Sequence, residues 1–256
     1  PVVMTTHTYL PSGIADRLAE AVDKIVLTKE LDDLKDNQRY TTIELPVPQH
    51  NRISKHDARK QLGFQDVNSF VVGSFGLWNQ HKGYDELLQT FNDVAARVGK
   101  NTHYLICGSR DGKNVYASDV IRKHWDLKQS NRLLLFEDYE EMGGIIQKLC
   151  ACDVLVFNYN IQTHTSASSA IRTGMQAGVP VVCTMSPMFE EFDDEEHVLK
   201  VKFGDVTELA QAIVRLGADK VLAEKMVQKC DKYVGRCVPS KVAEDHGRLY
   251  QELIGG

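Results

Sequence analysis

Short apolar runs alternate with amphipathic stretches along most of the chain. Pro1 to Met4, Lys24 to Leu27, Ser69 to Ser74, His103 to Cys107, Arg132 to Phe136, Asp153 to Phe157, Val179 to Cys183 and Val198 to Val201 read as strands. Most are rich in Val, Ile, Leu and Phe, as strands buried on both faces are. Between them the period changes to about 3.6 residues. In YDELLQTFNDVAARVG, Tyr84 to Gly99, the residues Leu87, Leu88, Phe91, Val94 and Ala95 share one helical face. In GDVTELAQAIVRLG, Asp205 or Thr207 is placed to cap a helix and Gly217 to stop it. Strand and helix in regular alternation predict an α/β fold, a parallel sheet with helices on both faces.

The pattern breaks once, at Glu44 to His50. Pro46 and Pro48 force extended backbone there and deny a helix. This divides the chain into residues 1–48, an N-terminal piece and linker, and residues 49–256, the main unit. The first piece is too short to be a domain alone. It is expected to hold about two strands and two helices and to be the end of a domain whose beginning is missing. The last helix, about Ser240 to Ile254, is placed to reach back across the boundary.

Composition narrows the function classes. The net charge is −5 and the basic residues are scattered, so no electrostatic footprint for nucleic acid is present. No apolar run approaches the ~18 residues a membrane span needs. Cys107, Cys150, Cys152, Cys183, Cys230 and Cys237 lack the spacing of a zinc or redox pair and read as reduced, inert residues of a cytoplasmic protein. Phe192 and the acidic run Asp193 to Glu196 read as a solvated loop.

Three stretches carry candidate chemistry. THTSASSAIRTGMQAGVPVV, Thr163 to Val182, follows the strand DVLVF and packs hydroxyls into a helix start. With a helix from near Ser166, Ser166, Ser169 and Thr173 fall on one stripe, while Ala170, Ile171 and Met175 face elsewhere and bury themselves. The free N–H groups of such a start attract a phosphate or carboxylate. Plain N-capping by Thr165 or Ser166 explains the same residues. VVGSFGLWNQHKGYDELL, Val71 to Leu88, joins strand to helix through Gly73, Gly76 and Gly83, with Lys82 before the helix. Glycine lets a ligand approach backbone closely, and lysine offers a point charge to a diphosphate. A glycine-rich turn with a solvated lysine is the other reading. Neither a P-loop nor a GxGxxG fingerprint is present. Third, PVVMTTHTYL delivers His7 to a strand's carboxyl end, as a structural histidine or as a proton donor or acceptor in a cleft.

In this order the stretches resemble the retaining nucleotide-sugar glycosyltransferases of GT-B type. Met4-Thr5-Thr6-His7-Thr8 matches the family's "TFHT" strand end, and Ala21 to Thr28 its "aD.iv..S" segment. Leu45-Pro46-Val47-Pro48 matches the "iPng" linker and Gly76 to Leu88 the "KG" loop. Tyr104 to Gly108, Leu149 to Val156 and Thr173 to Val182 complete the set, from residue 1 to about 254. The resemblance implies a Rossmann-like unit that binds a nucleotide-diphosphate sugar. The diphosphate would lie against Thr165, Ser166, Ala167, Ser168 and Ser169 and near Gly76 and Lys82, with His7 beside the donor sugar as catalytic residue. It implies no cofactor and no metal ion. Glycan, lipid-linked and protein acceptors all stay open. Base recognition is expected near Glu137 to Tyr139.

The chain departs from the family where Thr165 and Thr173 replace two glutamates, the second of which typically holds the nucleotide ribose, so that Thr173 offers the donor one hydroxyl in place of a carboxylate, and where Leu77 replaces an arginine. The serines would then set neutral donors around the diphosphate. A degenerate transferase kept for nucleotide binding or assembly, and a nucleotide-sugar epimerase, are the alternative readings. Because the family's acceptor-binding segment is read as missing, the chain is expected to bind nucleotide but transfer sugar poorly alone.

Overall fold

The computed structural model describes residues 1–6, 17, 20–31, 34–110, 115–161 and 166–255. A small parallel sheet comprises β1 (Val3–Thr6), β2 (Lys24–Leu27) and β3 (Tyr40–Thr42), in that order. A large sheet comprises β4 (Phe70–Phe75), β5 (Thr102–Cys107), β6 (Leu133–Phe136), β7 (Val154–Phe157), β8 (Val181–Thr184) and β9 (Leu199–Val201). Its order is β6-β5-β4-β7-β8-β9, and every pairing is parallel. The order runs outward in both directions from the β4–β7 pair. Connections therefore leave those two strands towards opposite sides, and a crevice opens at their carboxyl ends.

The apolar runs of the large sheet are buried on both faces because helices cover both. Val71, Leu105, Cys107, Leu155, Phe157, Val181 and Cys183 face one layer. Helices Lys55–Gln61, Met142–Leu149, Ser169–Met175 and Lys220–Arg236 lie there. Phe70, Val72, Tyr104, Ile106, Val154, Val156 and Val182 face the other. Helices Tyr84–Gln89, Phe91–Val98, Val115–Lys123, Trp125–Gln129 and Val206–Ala218 lie on that side. The long final helix, Pro239–Gly255, packs Val242 and Leu249 against Val26 and Ile43 beside the small sheet.

Four local expectations are corrected. The small sheet has a third strand, β3, which the apolar pattern did not mark. The expected helix from Tyr84 to Gly99 is two helices that meet at Thr90, whose buried hydroxyl bonds the Leu87 carbonyl at 2.7 Å and the Tyr104 hydroxyl at 2.6 Å. Asp205 does cap its helix, but the helix runs through Gly217 to Ala218. Gly217 is small because a Cβ there would sit 2.4 Å from the Phe70 ring. Phe192 is core, packed edge-on to Tyr233, while Asp193 to Glu195 beside it are exposed. All the cysteines named above are buried and free, and burial pushes the Cys107 thiol up to about 12. Among the described residues no helix is long and apolar enough to cross a membrane.

Candidate functional site

The loop after β4 is shaped by close backbone approach. Gly76 sits at φ +140, a conformation that side chains rarely adopt, and its N–H bonds the Cys107 carbonyl at 3.0 Å. Its carbonyl accepts the Tyr84 hydroxyl at 2.9 Å. A short 3₁₀ turn, Gln80–Lys82, then carries Lys82 to the left-handed Gly83. This turn is fastened to the end of β7. Asn158 Nδ2 donates to the Gly83 carbonyl at 3.0 Å, and the Asn160 N–H to the His81 carbonyl at 2.8 Å. A Cβ on Gly83 would fall 2.1 Å from the Asn158 carbonyl oxygen. Gly83→Ala is therefore expected to cost about 2 kcal/mol from backbone strain and overpacking. Urea unfolding checks this, and a loss below about 0.5 kcal/mol would show the turn tolerates movement.

The hydroxyl-rich segment folds later than its pattern predicts. The helix begins at Ser169, and the cap is Ser168, which accepts the Ile171 N–H at 3.5 Å. Ser166 does not cap it; Thr165 and His7 lie outside the described residues. Ser166 precedes the helix, so the expected three-residue stripe shortens to Ser169 and Thr173, one turn apart. Ile171 and Met175 are buried as expected. Ala170 is buried too, and it contributes to the cavity wall.

Gly76, Lys82, Ser169 and Thr173 line one cavity of about 680 Å³ at the carboxyl ends of the central strands. Ser166, Ala167 and Ser168 are not part of its wall. A second cavity, about 610 Å³ along the outer edge of β6, holds none of the expected site residues. The Lys82 ammonium lies 3.6 Å from the centre of the Tyr159 ring. Burial lowers its pKa to about 8. Among the described residues no carboxylate lies within ion-pair distance of it. The ring is a suitable seat for a cation because its face is electron-rich. The hydroxyl of the same tyrosine is buried and has no hydrogen-bond partner among the described residues. Opposite, Asp138 and Tyr139 line the rim, Tyr139 being 93% exposed, while Glu137 pairs with Arg110.

Three contributors went unread in the sequence. Tyr159 and Asn158 follow an apolar strand and look like its tail; only the fold brings them under Lys82 and Gly83. Arg172 is fully buried behind the helix start. It donates to the Ser168 carbonyl at 3.3 Å, to Glu191 at 2.9 Å and Glu44 at 3.3 Å, and to the Tyr233 hydroxyl at 2.7 Å. Its partners come from four separate stretches, so no local pattern signals it.

The sequence model of the family described as glycosyl transferases group 1 matches residues 68–219. No curated protein matches the chain by sequence. Among solved structures, a glycosyltransferase from Rickettsia africae superposes with TM-score 0.80 at 14% identity, over 98% of this chain and 70% of that one. Anabaena HepE, solved with UDP, gives 0.80 at 18% identity, over 100% and 72%. Sucrose-phosphate synthase from Thermosynechococcus elongatus gives 0.77 at 18%, over 99% and 68%. At these identities the likeness is one of fold.

Proposed function

The chain belongs to the group 1 glycosyltransferases, and from that membership we propose that it moves a sugar from a nucleotide-diphosphate donor with retention of configuration. The observation that carries the donor reading is the Lys82 ammonium. It is held on the Tyr159 ring in the 680 Å³ cavity and lacks a carboxylate partner among the described residues. A partly buried cation with no counter-charge is stabilised by a polyanion. The diphosphate lies between Lys82 and Ser169, and the nucleoside runs along the wall past Thr173 towards Asp138 and Tyr139. HepE, a neighbour of the same fold, was solved in complex with UDP, which makes UDP the first probe.

In the proposed reaction the bond from the sugar's anomeric carbon to the diphosphate oxygen breaks. The acceptor oxygen bonds that carbon on the same face, and its proton passes to the departing phosphate. Lys82 stabilises the charge that grows on the leaving group, the transition-state electrostatics that contribute most in such sites. Because this ammonium supplies the neutralising charge, the reaction is proposed to run without a metal ion. The alternative of a domain that binds without transfer is favoured by Thr173, a single hydroxyl where the family carries a carboxylate. Incubation with UDP-glucose and acceptor mixtures, in EDTA, separates the two. Transfer with an α-linked product supports the proposal; a β-linked product or a metal requirement overturns it in part.

The pH dependence of binding tests the site itself. Lys82 titrates near 8 when free, and a bound diphosphate raises that value. Affinity for UDP-glucose is then full below pH 7 and falls as pH rises through 8, by about tenfold between pH 7 and 9. Lys82→Arg, which stays charged across that range, is expected to lose this fall. A wild-type profile identical to that of Lys82→Arg would remove Lys82 from the donor site.

A further inference from the structure

Beyond Thr173, part of the cavity wall is His50, from the proline-containing linker. Two attachments hold it there. Its backbone N–H donates to Gln176 Oε1 at 3.2 Å. Two residues on, Arg52 donates to the carbonyls of Gln176 and Met175 and pairs with Asp231. The linker is thereby fastened to the last turn of the Ser169–Met175 helix. Gly143 leaves room for the imidazole, since a Cβ there would stand 3.3 Å from His50 Nδ1.

Two nitrogens at this place find no partner among the described residues: His50 Nε2 and Gln176 Nε2, both shielded from solvent. A buried polar atom without a partner carries a desolvation penalty that only a hydrogen bond recovers. Their position along the helix says what kind of partner fits. Gln176 lies seven residues beyond Ser169, about 10 Å along the axis at 1.5 Å per residue. With the diphosphate at the Lys82 and Ser169 end, the nucleoside falls at the other. Thr173 adds a hydroxyl to the same wall.

We infer that His50 binds the ribose hydroxyls of the donor nucleotide, with Thr173 beside it and Gln176 holding the linker in register. This inference rests on the donor reading above. In this assignment the unpartnered Nε2 of the cavity-lining imidazole takes one hydroxyl of the ribose diol as its hydrogen-bond partner. The linker that leads from the small sheet to the main unit thus contributes a donor-binding group.

Titration calorimetry with UDP, 2′,3′-dideoxy-UDP and inorganic pyrophosphate tests it. His50→Ala is expected to weaken UDP about tenfold. The same change leaves dideoxy-UDP and pyrophosphate within twofold of wild type. His50→Gln, which retains a polar nitrogen at similar reach, should recover most of the loss. Equal weakening of UDP and dideoxy-UDP, or weakening of neither, overturns the assignment. So does a wild-type chain that does not distinguish the two nucleotides. Pyrophosphate reports the donor reading separately: if Lys82→Ala leaves its affinity unchanged, that reading fails whatever His50 does.

Discussion

Replacing Lys82 by alanine is expected to weaken UDP about 100-fold while uridine binding stays within twofold. The asymmetry follows from the surroundings of the ammonium. It is largely withdrawn from water, rests on the Tyr159 ring, and meets no carboxylate among the described residues. In that setting a charge–charge contact is screened far less than in bulk water. Lys82→Met separates charge from packing, since methionine keeps an apolar stem over the ring. It should bind UDP as weakly as the alanine variant. It should also be no less stable than wild type without ligand, because removing an uncompensated, partly buried cation relieves its desolvation cost. Calorimetry with the two ligands and urea unfolding of the free proteins read these effects. If UDP and uridine weaken in parallel, the lysine shapes the cavity rather than pairing with phosphate.

Much of this geometry was legible because local chemistry dictates it. Each strand of the large sheet is a short apolar run, and the two-sided burial of a parallel sheet demands that composition. The Gly76 to Gly83 loop was legible because a glycine in an unusual backbone region and a lysine before a helix are local features. Gly76, Lys82, Ser169 and Thr173 do share a cavity. What stayed hidden depends on tertiary partners. β3 is the three-residue Tyr40–Thr42, paired on one side only and too polar to stand out. Gly217 looked like a helix stop, but Phe70 packs against its bare Cα from another element. Phe192 sat beside a run of acids and was read with them; its burial is decided by Tyr233, forty-one positions away. Ser168 rather than Ser166 caps the helix, a choice among neighbouring hydroxyls that local sequence scarcely distinguishes.

Arg172 is where the hidden part has the largest effect on stability. Arg172→Met is expected to destabilise the fold by about 3 kcal/mol at pH 7, as removal of one member of a buried ion pair does. Glu191 is the reason. Burial pushes its carboxyl above the usual range, Arg172 pulls it back, and its Oε1 has no partner among the described residues. Glu44 is more exposed and can rehydrate, so its share is small. Without the guanidinium, Glu191 titrates higher still. The folded state then binds more protons than the unfolded one, so the variant's stability falls as pH rises above about 4.5 towards the raised value. Urea unfolding at pH 5.5 and pH 7 should therefore show a smaller deficit at the lower pH. Changing Glu191 to Met as well removes the stranded charge, and the double variant should recover at least half of the loss. The same arginine holds the Ser168 carbonyl at the start of the cavity-lining helix, so the single variant should also bind UDP more weakly. A deficit under 1 kcal/mol, or one independent of pH, would mean that Glu191 escapes to solvent when its partner is removed.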